Sequence, residues 1–517
     1  MPNIAIVGTG PTGLYTLHRL LNARTPLTVT LFEASPLAGV GLPYSPDSAQ
    51  VTMLANIASI EIPPLGETYL DWLRRQPAAL LRLYGADPAT LHDRQFLPRL
   101  LLGAWFRDAL ERMIAGAAAQ GHRVALREGT RVTDVAVSGD DLRLVFQTAG
   151  VEESLLFSHV VLATGHDWPE DPAHDPGHFV SPWSGLIEAA VPPSRVGVLG
   201  TSLSAIDAAM AVACQHGRFD PDDDGFTLLP GSERLKITLM SRNGLLPEAD
   251  FWCPLPYLPL RHLTEDALDR EARAGSKGLL DRLWRLMVAE LASADPAWTA
   301  ANGIAHLSVE GFADAYFAPR LACDPFDWAA QNLAEVTRNA DARRVVDWRY
   351  AILRMHAPME RMVGRLTGAD RLRFEALKRV FIDNYAAVPP QAIRRLLALR
   401  RAGCLEVLAL GKDYALDRAD GVARLVARDG TRAAFDVLID ARGQKALTAA
   451  DLPFPSLRAA LGTGDVAMDD TFAIRDLGAG RIFLPAAPYL LSRFPFAQGI
   501  TASADMAASV AAALVGP

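Results

Sequence analysis

The stretch from Ile4 to Glu33 leaves the chain little choice of local fold. An apolar, β-type run (Ile4 to Val7) delivers Gly8, Gly10 and Gly13 in G-x-G-x-x-G spacing, and the helical pattern PTGLYTLHRL follows at once. Gly8 suits the tight turn, Gly10 lets the backbone approach a pyrophosphate, and Gly13 lets the helix lie close to the strand. The start of that helix presents unpaired N–H groups, from Thr12 onward, and a positive dipole end. A second strand, TVTLFEA, ends at Glu33, twenty residues beyond Gly13, where an acid accepts hydrogen bonds from an adenosine ribose. Strand, glycine turn, helix, strand and acid together predict a Rossmann-like dinucleotide-binding unit.

The arrangement recurs. RVGVLGTSLSAIDAAMAV (Arg195 to Val212) reads as a strand, a small-residue turn and a helix, with Gly200 at the turn and Ser202 and Ser204 where glycines are usual. Small serines still admit a pyrophosphate, and their hydroxyls donate to its oxygens. The next strand, KITLMSR, closes on Ser241 and Arg242 rather than on an acid. A carboxylate there would repel a 2′-phosphate, whereas an arginine beside a hydroxyl attracts one, so this unit is predicted to prefer NADPH over NADH; the alternative is an Arg242 that only caps an exposed strand end. The first unit, with its acid, suits the adenosine half of FAD. SHVVLATGH closes a further strand on Thr164 and Gly165, FDVLIDARGQ is another strand running into a glycine turn, and a small-residue helix follows Gly499.

From about Leu260 to Leu410 the texture becomes helical, with apolar residues three and four apart in LLDRLWRLMVAEL and AIRRLLALRRAG. The expected fold is α/β: two Rossmann-like dinucleotide-binding domains of the flavin monooxygenase and disulfide-reductase type, with a helical insertion. The domains are expected at 1–190 with 411–517 (FAD), 191–259 (NAD(P)) and 260–410 (helical insertion, a substrate chamber or lid).

The rest of the composition serves mainly to exclude. A formal charge of −8 over 517 residues, with no basic block, argues against nucleic-acid binding. No apolar run reaches the ~18 residues of a spanning helix, and no basic n-region precedes an apolar one, so a cytoplasmic protein without a membrane partner is expected. Cys214, Cys253, Cys323 and Cys404 form no C-x-x-C pair, which removes flavin reductases of the dithiol type. DPDDDG (Asp220 to Gly225) lacks the later glutamate of a calcium loop and reads as a solvated acidic turn; no metal is expected.

The runs GTGPTGLYTL, FEASPLAGVGLPYS, MLANIASIEIPP, LHDRQFLPR, ATGHDWP, SPWSG, GTSLSAIDAAMAV, LPEADFWCPLPY, VFIDNYAAVPPQAIRRLLALR and DVLIDARGQ resemble the YdhS-type FAD/NAD(P)-binding proteins of bacteria over essentially the whole chain. The resemblance implies that Gly8, Gly10, Pro11, Thr12, Gly13 and Glu33 hold the ADP part of FAD. It also implies that GVGLPYS to MLANIAS crosses the isoalloxazine, placing Gly41, Tyr44 and Asn56 near the flavin. Asn56 either bonds an amide edge of a cofactor or satisfies a buried loop. More distant similarity links the N-terminal domain to a flavin-dependent urate hydroxylase and an aspartate N-monooxygenase, which use NAD(P)H and oxygen. One departure stands out: the Gly-Asp pair that binds ribityl hydroxyls in many flavoproteins is replaced by LPAAPY and FAQGITAS, so Gln498, Gly499 and the backbone N–H groups after them are expected to hold the flavin.

The function implied is an FAD-dependent, NADPH-using monooxygenase acting on a small polar molecule. The alternatives are a flavin reductase or dehydrogenase without oxygen insertion, and a non-enzymatic nucleotide sensor. His92, Asp93, Arg94 and Arg99 are either contacts for an anionic group of the substrate or a structural ion-pair turn. No catalytic triad, metal cluster or carboxylate pair stands out, and the catalytic residues are not legible.

Overall fold

The computed structural model describes residues 2–168, 177–475, 477 and 481–516. Two compact units emerge: Met1–Trp168 with Gln444–Pro517, and Pro169–Gly443.

The first unit is built on a five-stranded parallel sheet in the order Ile482–Phe483, His159–Leu162, Asn3–Val7, Thr28–Phe32, Arg123–Arg127. The strand Asn3–Val7 is apolar from Ile4 onward because both faces are covered. Ile4 and Ile6 point into one core with Leu14, Leu17, Trp105, Phe106 and Val510. Ala5 and Val7 point into another with Val135, Leu144, Phe146, Phe157 and Phe454. The first core lies under the helices Pro11–Leu20, Arg99–Ala117 and Ile500–Val515. The second lies under an antiparallel meander, Thr130–Ser138, Asp141–Thr148 and Val151–Phe157, bent by a register shift between Val132 and Asp134.

The second unit repeats the plan. Its parallel sheet runs Leu405–Ala409, Lys236–Ser241, Arg195–Leu199, Val437–Asp440, His178–Phe179. The meander Tyr414–Ala419, Val422–Ala427, Arg432–Phe435 packs on it through Leu199, Met240, Leu425 and Phe435. A side chain at Gly197 would sit 2.6 Å from the Phe435 ring, so the glycine makes room for the meander.

Residues 411–443, which the sequence grouped with the N-terminal domain, lie in this unit because Val437–Asp440 pairs residue for residue with Val196–Leu199. Eight helices fill the block between Glu265 and Arg401. Several start on side-chain caps, with Thr264, Asp295, Ser308, Asp324 and Thr367 each accepting from an N–H of the first turn.

The acidic turn is not simply solvated. Asp223 is 7% exposed and accepts from Arg395 at 2.8 Å and from Gln391, because a carboxylate leaving water needs charged partners.

Candidate functional site

In the first unit the glycine turn opens onto a cavity of about 520 Å³. Gly8, Gly10, Pro11, Thr12, Glu33, Gly41, Tyr44, Thr164, Gly165, Gln498 and Gly499 all line it. Eleven of the residues that the sequence singles out, from both ends of the chain, are therefore brought together in this unit. Gly13 is not in the lining. A β-carbon there would fall 2.1 Å from the Gly8 carbonyl oxygen, so this glycine sets the close packing of helix on turn. Asn56 also lies outside the lining, and its buried Oδ1 has no hydrogen-bond partner among the described residues.

Two helix starts face the cavity. The helix beginning at Pro11 has no side-chain cap from Gly10, and the one beginning at Ile500 has none from Gly499. Both leave backbone donors and a positive dipole end directed at the cavity. They are tied side by side, Thr12 Oγ1 donating to Ser503 Oγ at 3.1 Å. Gly41 approaches so closely that a β-carbon on it would lie 3.1 Å from the Gly10 Cα.

Glu33 is held with both carboxylate oxygens engaged. Thr9 donates its N–H (3.0 Å) and its hydroxyl (2.7 Å) to Oε2, and the Ser35 N–H donates to Oε1 at 3.0 Å. A carboxylate oxygen has two lone pairs, so the fixed group still has acceptor capacity for a ribose diol.

Sequence reasoning missed the wall formed by Phe32, Thr130–Thr133, His166, Asp167, Phe454 and Tyr489. His166 and Asp167 directly follow Gly165, and that adjacency was a usable signal. Thr130–Thr133 belong to a strand about a hundred residues from the glycine turn and carry no local mark. Among the described residues the buried His166 Nδ1 has no hydrogen-bond partner. Burial lowers the His166 pKa, opposed by a hydrogen bond with Gln444, so the imidazole is held neutral more firmly than a free one. Ala487 and Tyr489 line the cavity where the LPAAPY segment replaces a Gly-Asp pair. The Tyr489 hydroxyl donates to the Asp451 carbonyl at 3.2 Å.

LHDRQFLPR forms a structural pairing. Ile60 N–H donates to Asp93 O, Ala55 N–H to Leu97 O, and Arg99 Nε to Leu54 O at 3.1 Å.

In the second unit Gly200, Ser202 and Ser204 stand at the turn into the helix Leu203–His216, again with no side-chain cap. A β-carbon at Gly200 would fall 2.8 Å from the Ala441 carbonyl, the same tight-turn constraint as at Gly8. Ser241 and the exposed Arg242 sit at the carboxyl end of the neighbouring strand. Open parallel sheets bind ligands at this edge.

Residues 5–167 match the FAD-NAD(P)-binding domain family, and residues 264–385 match the YdhS-like middle domain. The YdhS protein of Escherichia coli strain K12 is 48% identical over 526 residues, covering 100% of this chain and 98% of that protein. The chain belongs to the YdhS-type FAD/NAD(P)-binding family. Its fold is also that of ornithine N-hydroxylase from Kutzneria sp. 744, at a TM-score of 0.53 with 15% identity over 99% of each chain. Ornithine hydroxylase from Pseudomonas aeruginosa gives 0.55 with 13% identity over 100% of this chain and 99% of that one. The FAD-bound cadaverine monooxygenase of Erwinia amylovora gives 0.54 with 14% identity over 100% and 95%.

The YdhS-like middle domain grips the segment that leaves the Ser241–Arg242 strand end. Arg320 Nη2 donates to Leu246 O at 2.6 Å, and Asn332 Oδ1 accepts from Ala249 N–H at 2.8 Å. Glu248 accepts from Trp328 Nε1 at 2.9 Å and pairs with Arg349 at 2.9 Å. Arg349 also lies over the Phe251 ring, 4.5 Å from its centre. Further on, the buried Glu290 accepts from the N–H groups of Arg261 and His262 at 2.9 and 2.7 Å. Arg349 and Arg320 outweigh burial and hold the Glu248 carboxyl below the ordinary range, whereas burial pushes Asp383, the partner of Arg320, up.

None of the four cysteines, Cys214, Cys253, Cys323 and Cys404, forms a disulfide among the described residues. Among the described residues no group of three or more His, Cys, Asp or Glu is placed to hold a metal, and no helix is long and apolar enough to cross a membrane.

Proposed function

We propose that this protein is an FAD-dependent, NADPH-using oxidoreductase, a monooxygenase that hydroxylates a small polar molecule. The observation that carries the reading is the cavity of the first unit. Two uncapped helix starts, a side-chain-free approach at Gly10 and Gly41, and an anchored carboxylate at Glu33 meet around one space. That donor and acceptor set matches a dinucleotide's pyrophosphate and ribose.

Gly10, Pro11 and Thr12 would take the pyrophosphate, and Glu33 the adenosine ribose. Gln498, Gly499 and the helix start after them would hold the flavin end, with Gly41 and Tyr44 beside it and Thr164 and Gly165 closing the wall. In the second unit Gly200, Ser202, Ser204 and Arg242 would hold NADPH. The chemistry that bound FAD supplies is two-electron transfer from the reduced nicotinamide. The residues of the chain bind, orient and exclude water, and none is needed as a nucleophile. The proteins that share the fold include ornithine hydroxylases and a cadaverine monooxygenase, which supports the oxygen-inserting branch over the reductase branch.

The product of NADPH oxidation in air tests the reading. Without substrate, peroxide should form in step with NADPH consumed, and a true substrate should suppress it while gaining one oxygen atom. Electron transfer to an organic acceptor with no oxygen gained would turn the assignment to a reductase. Bound FAD that NADPH never bleaches under anaerobic conditions would remove both enzymatic readings.

A further inference from the structure

The carboxyl ends of two neighbouring strands in the second unit form a second concentration of unengaged donors. After Lys236–Ser241 the chain turns back on itself: Ser241 Oγ accepts from the Gly244 N–H at 3.2 Å and from Thr201 Oγ1 at 3.2 Å. With both acceptor positions filled, the Ser241 hydroxyl proton is left to donate outward. Gly244, at φ +63, lets this turn lie on Ala409, the last residue of the adjacent strand; a β-carbon on it would fall 3.1 Å from the Ala409 Cβ.

From there the two chains leave the sheet together. Leu410 N–H donates to Ser241 O at 2.9 Å and Gly411 N–H to Arg242 O at 3.0 Å. The next residue is Lys412. Arg242 and Lys412 are both exposed, and among the described residues neither enters an ion pair. The nearest acid in sequence, Asp413, pairs with Arg428 at 3.4 Å.

Uncompensated like charges on strand ends locked together by backbone bonds repel each other unless an anion lies between them. The place is the crevice edge where open parallel sheets bind nucleotides. We propose that Lys412 is a second cation of the nucleotide site, acting with Ser241 and Arg242 on the 2′-phosphate of NADPH. The inference rests on assigning the second unit to NADPH. The division of labour follows from the side chains. Arginine offers a planar fork to two phosphate oxygens, serine a single directed donor, and lysine a mobile point charge.

Equilibrium binding to the FAD-loaded full chain, read by titration calorimetry, tests this without turnover. The probes are adenosine 2′,5′-bisphosphate and 5′-AMP, which differ only in the 2′-phosphate. The wild type should bind the bisphosphate more tightly. Lys412→Gln should weaken the bisphosphate about 10-fold, the scale of one lost charged hydrogen bond, and leave 5′-AMP within twofold. Lys412→Arg should keep most of the preference. A Lys412→Gln protein that retains the full preference, while Arg242→Gln loses it, overturns the role of Lys412 and leaves the NADPH assignment standing. A wild type that binds the two probes equally overturns the NADPH assignment, and the proposal with it.

Discussion

At the scale of single residues, the three glycines of the first turn separate folding from binding. A β-carbon at Gly8 would lie 2.3 Å from the Ala163 carbonyl and one at Gly13 2.1 Å from the Gly8 carbonyl, both backbone atoms that cannot step aside. At Gly10 the nearest atom is the Gly41 Cα at 3.4 Å, an ordinary contact. Gly8→Ala and Gly13→Ala should therefore yield little soluble protein. Gly10→Val should fold and purify without flavin, seen as loss of the absorbance near ~450 nm. A Gly10→Val protein with normal FAD content would contradict the site. Arg242→Ala should raise the KM for NADPH with little change for NADH, by on the order of 1.5–3 kcal/mol. His166 sets a pH dependence. Its folded pKa is lowered, so below the unfolded value of about 6.5 the unfolded chain takes up the proton more readily, and stability is lost as pH falls. His18 and His159 of the same unit are shifted the same way. His166→Gln should flatten part of the decline in Tm from about pH 7 to pH 5, and an unchanged slope would show that the ring titrates freely.

At the scale of elements, the helical block was legible and what it holds was not. Apolar residues recurring every three to four positions announce helices such as Leu279–Ala294 and Pro390–Arg401, because each must bury one stripe. The grip on residues 246–262 left no comparable trace. Glu248 meets Trp328 and Arg349, eighty and about a hundred residues away, and a lone glutamate in LPEADFW looks like any surface acid. Only the fold shows it 6% exposed with its carboxylate fully engaged. Glu248→Gln should strand the Arg349 charge in the interior and cost roughly 3–5 kcal/mol in urea unfolding. Glu248→Leu combined with Arg349→Met should recover much of that loss, because the desolvation penalty of both ions disappears with them. A single substitution costing under about 1 kcal/mol would mean that water reaches the pair. Because Glu248 is held below the ordinary carboxylate range, its contribution is present at neutral pH and lost as pH falls through the folded value. Asp383, pushed up, works in the opposite sense.

At the scale of the whole molecule, one plan is used twice: a five-stranded parallel sheet, a glycine turn into a helix, and a three-stranded meander. The two turns were legible because tight backbone geometry dictates residue type. The allocation of strands was not, since the runs VLI at 437–439 and VVL at 160–162 are alike in apolar character and only register decides which sheet each joins. Two copies of a nucleotide plan predict two independent ligand responses. In hydrogen exchange of the full chain, FAD should slow amides around Gly8–Gly13, Thr130–Thr133 and Gln498–Ser503. Adenosine 2′,5′-bisphosphate should slow those around Gly200–Ser204, Ser241–Gly244 and Gly411–Lys412. At ligand concentrations near 100 times Kd, each unit should gain about 2.7 kcal/mol against opening, provided that the ligand ignores the unfolded state. Protection of Gly8–Gly13 by the bisphosphate, with none at Gly200–Ser204, would mean that the second turn keeps the architecture of a nucleotide site without its use. The chain would then carry one dinucleotide rather than two.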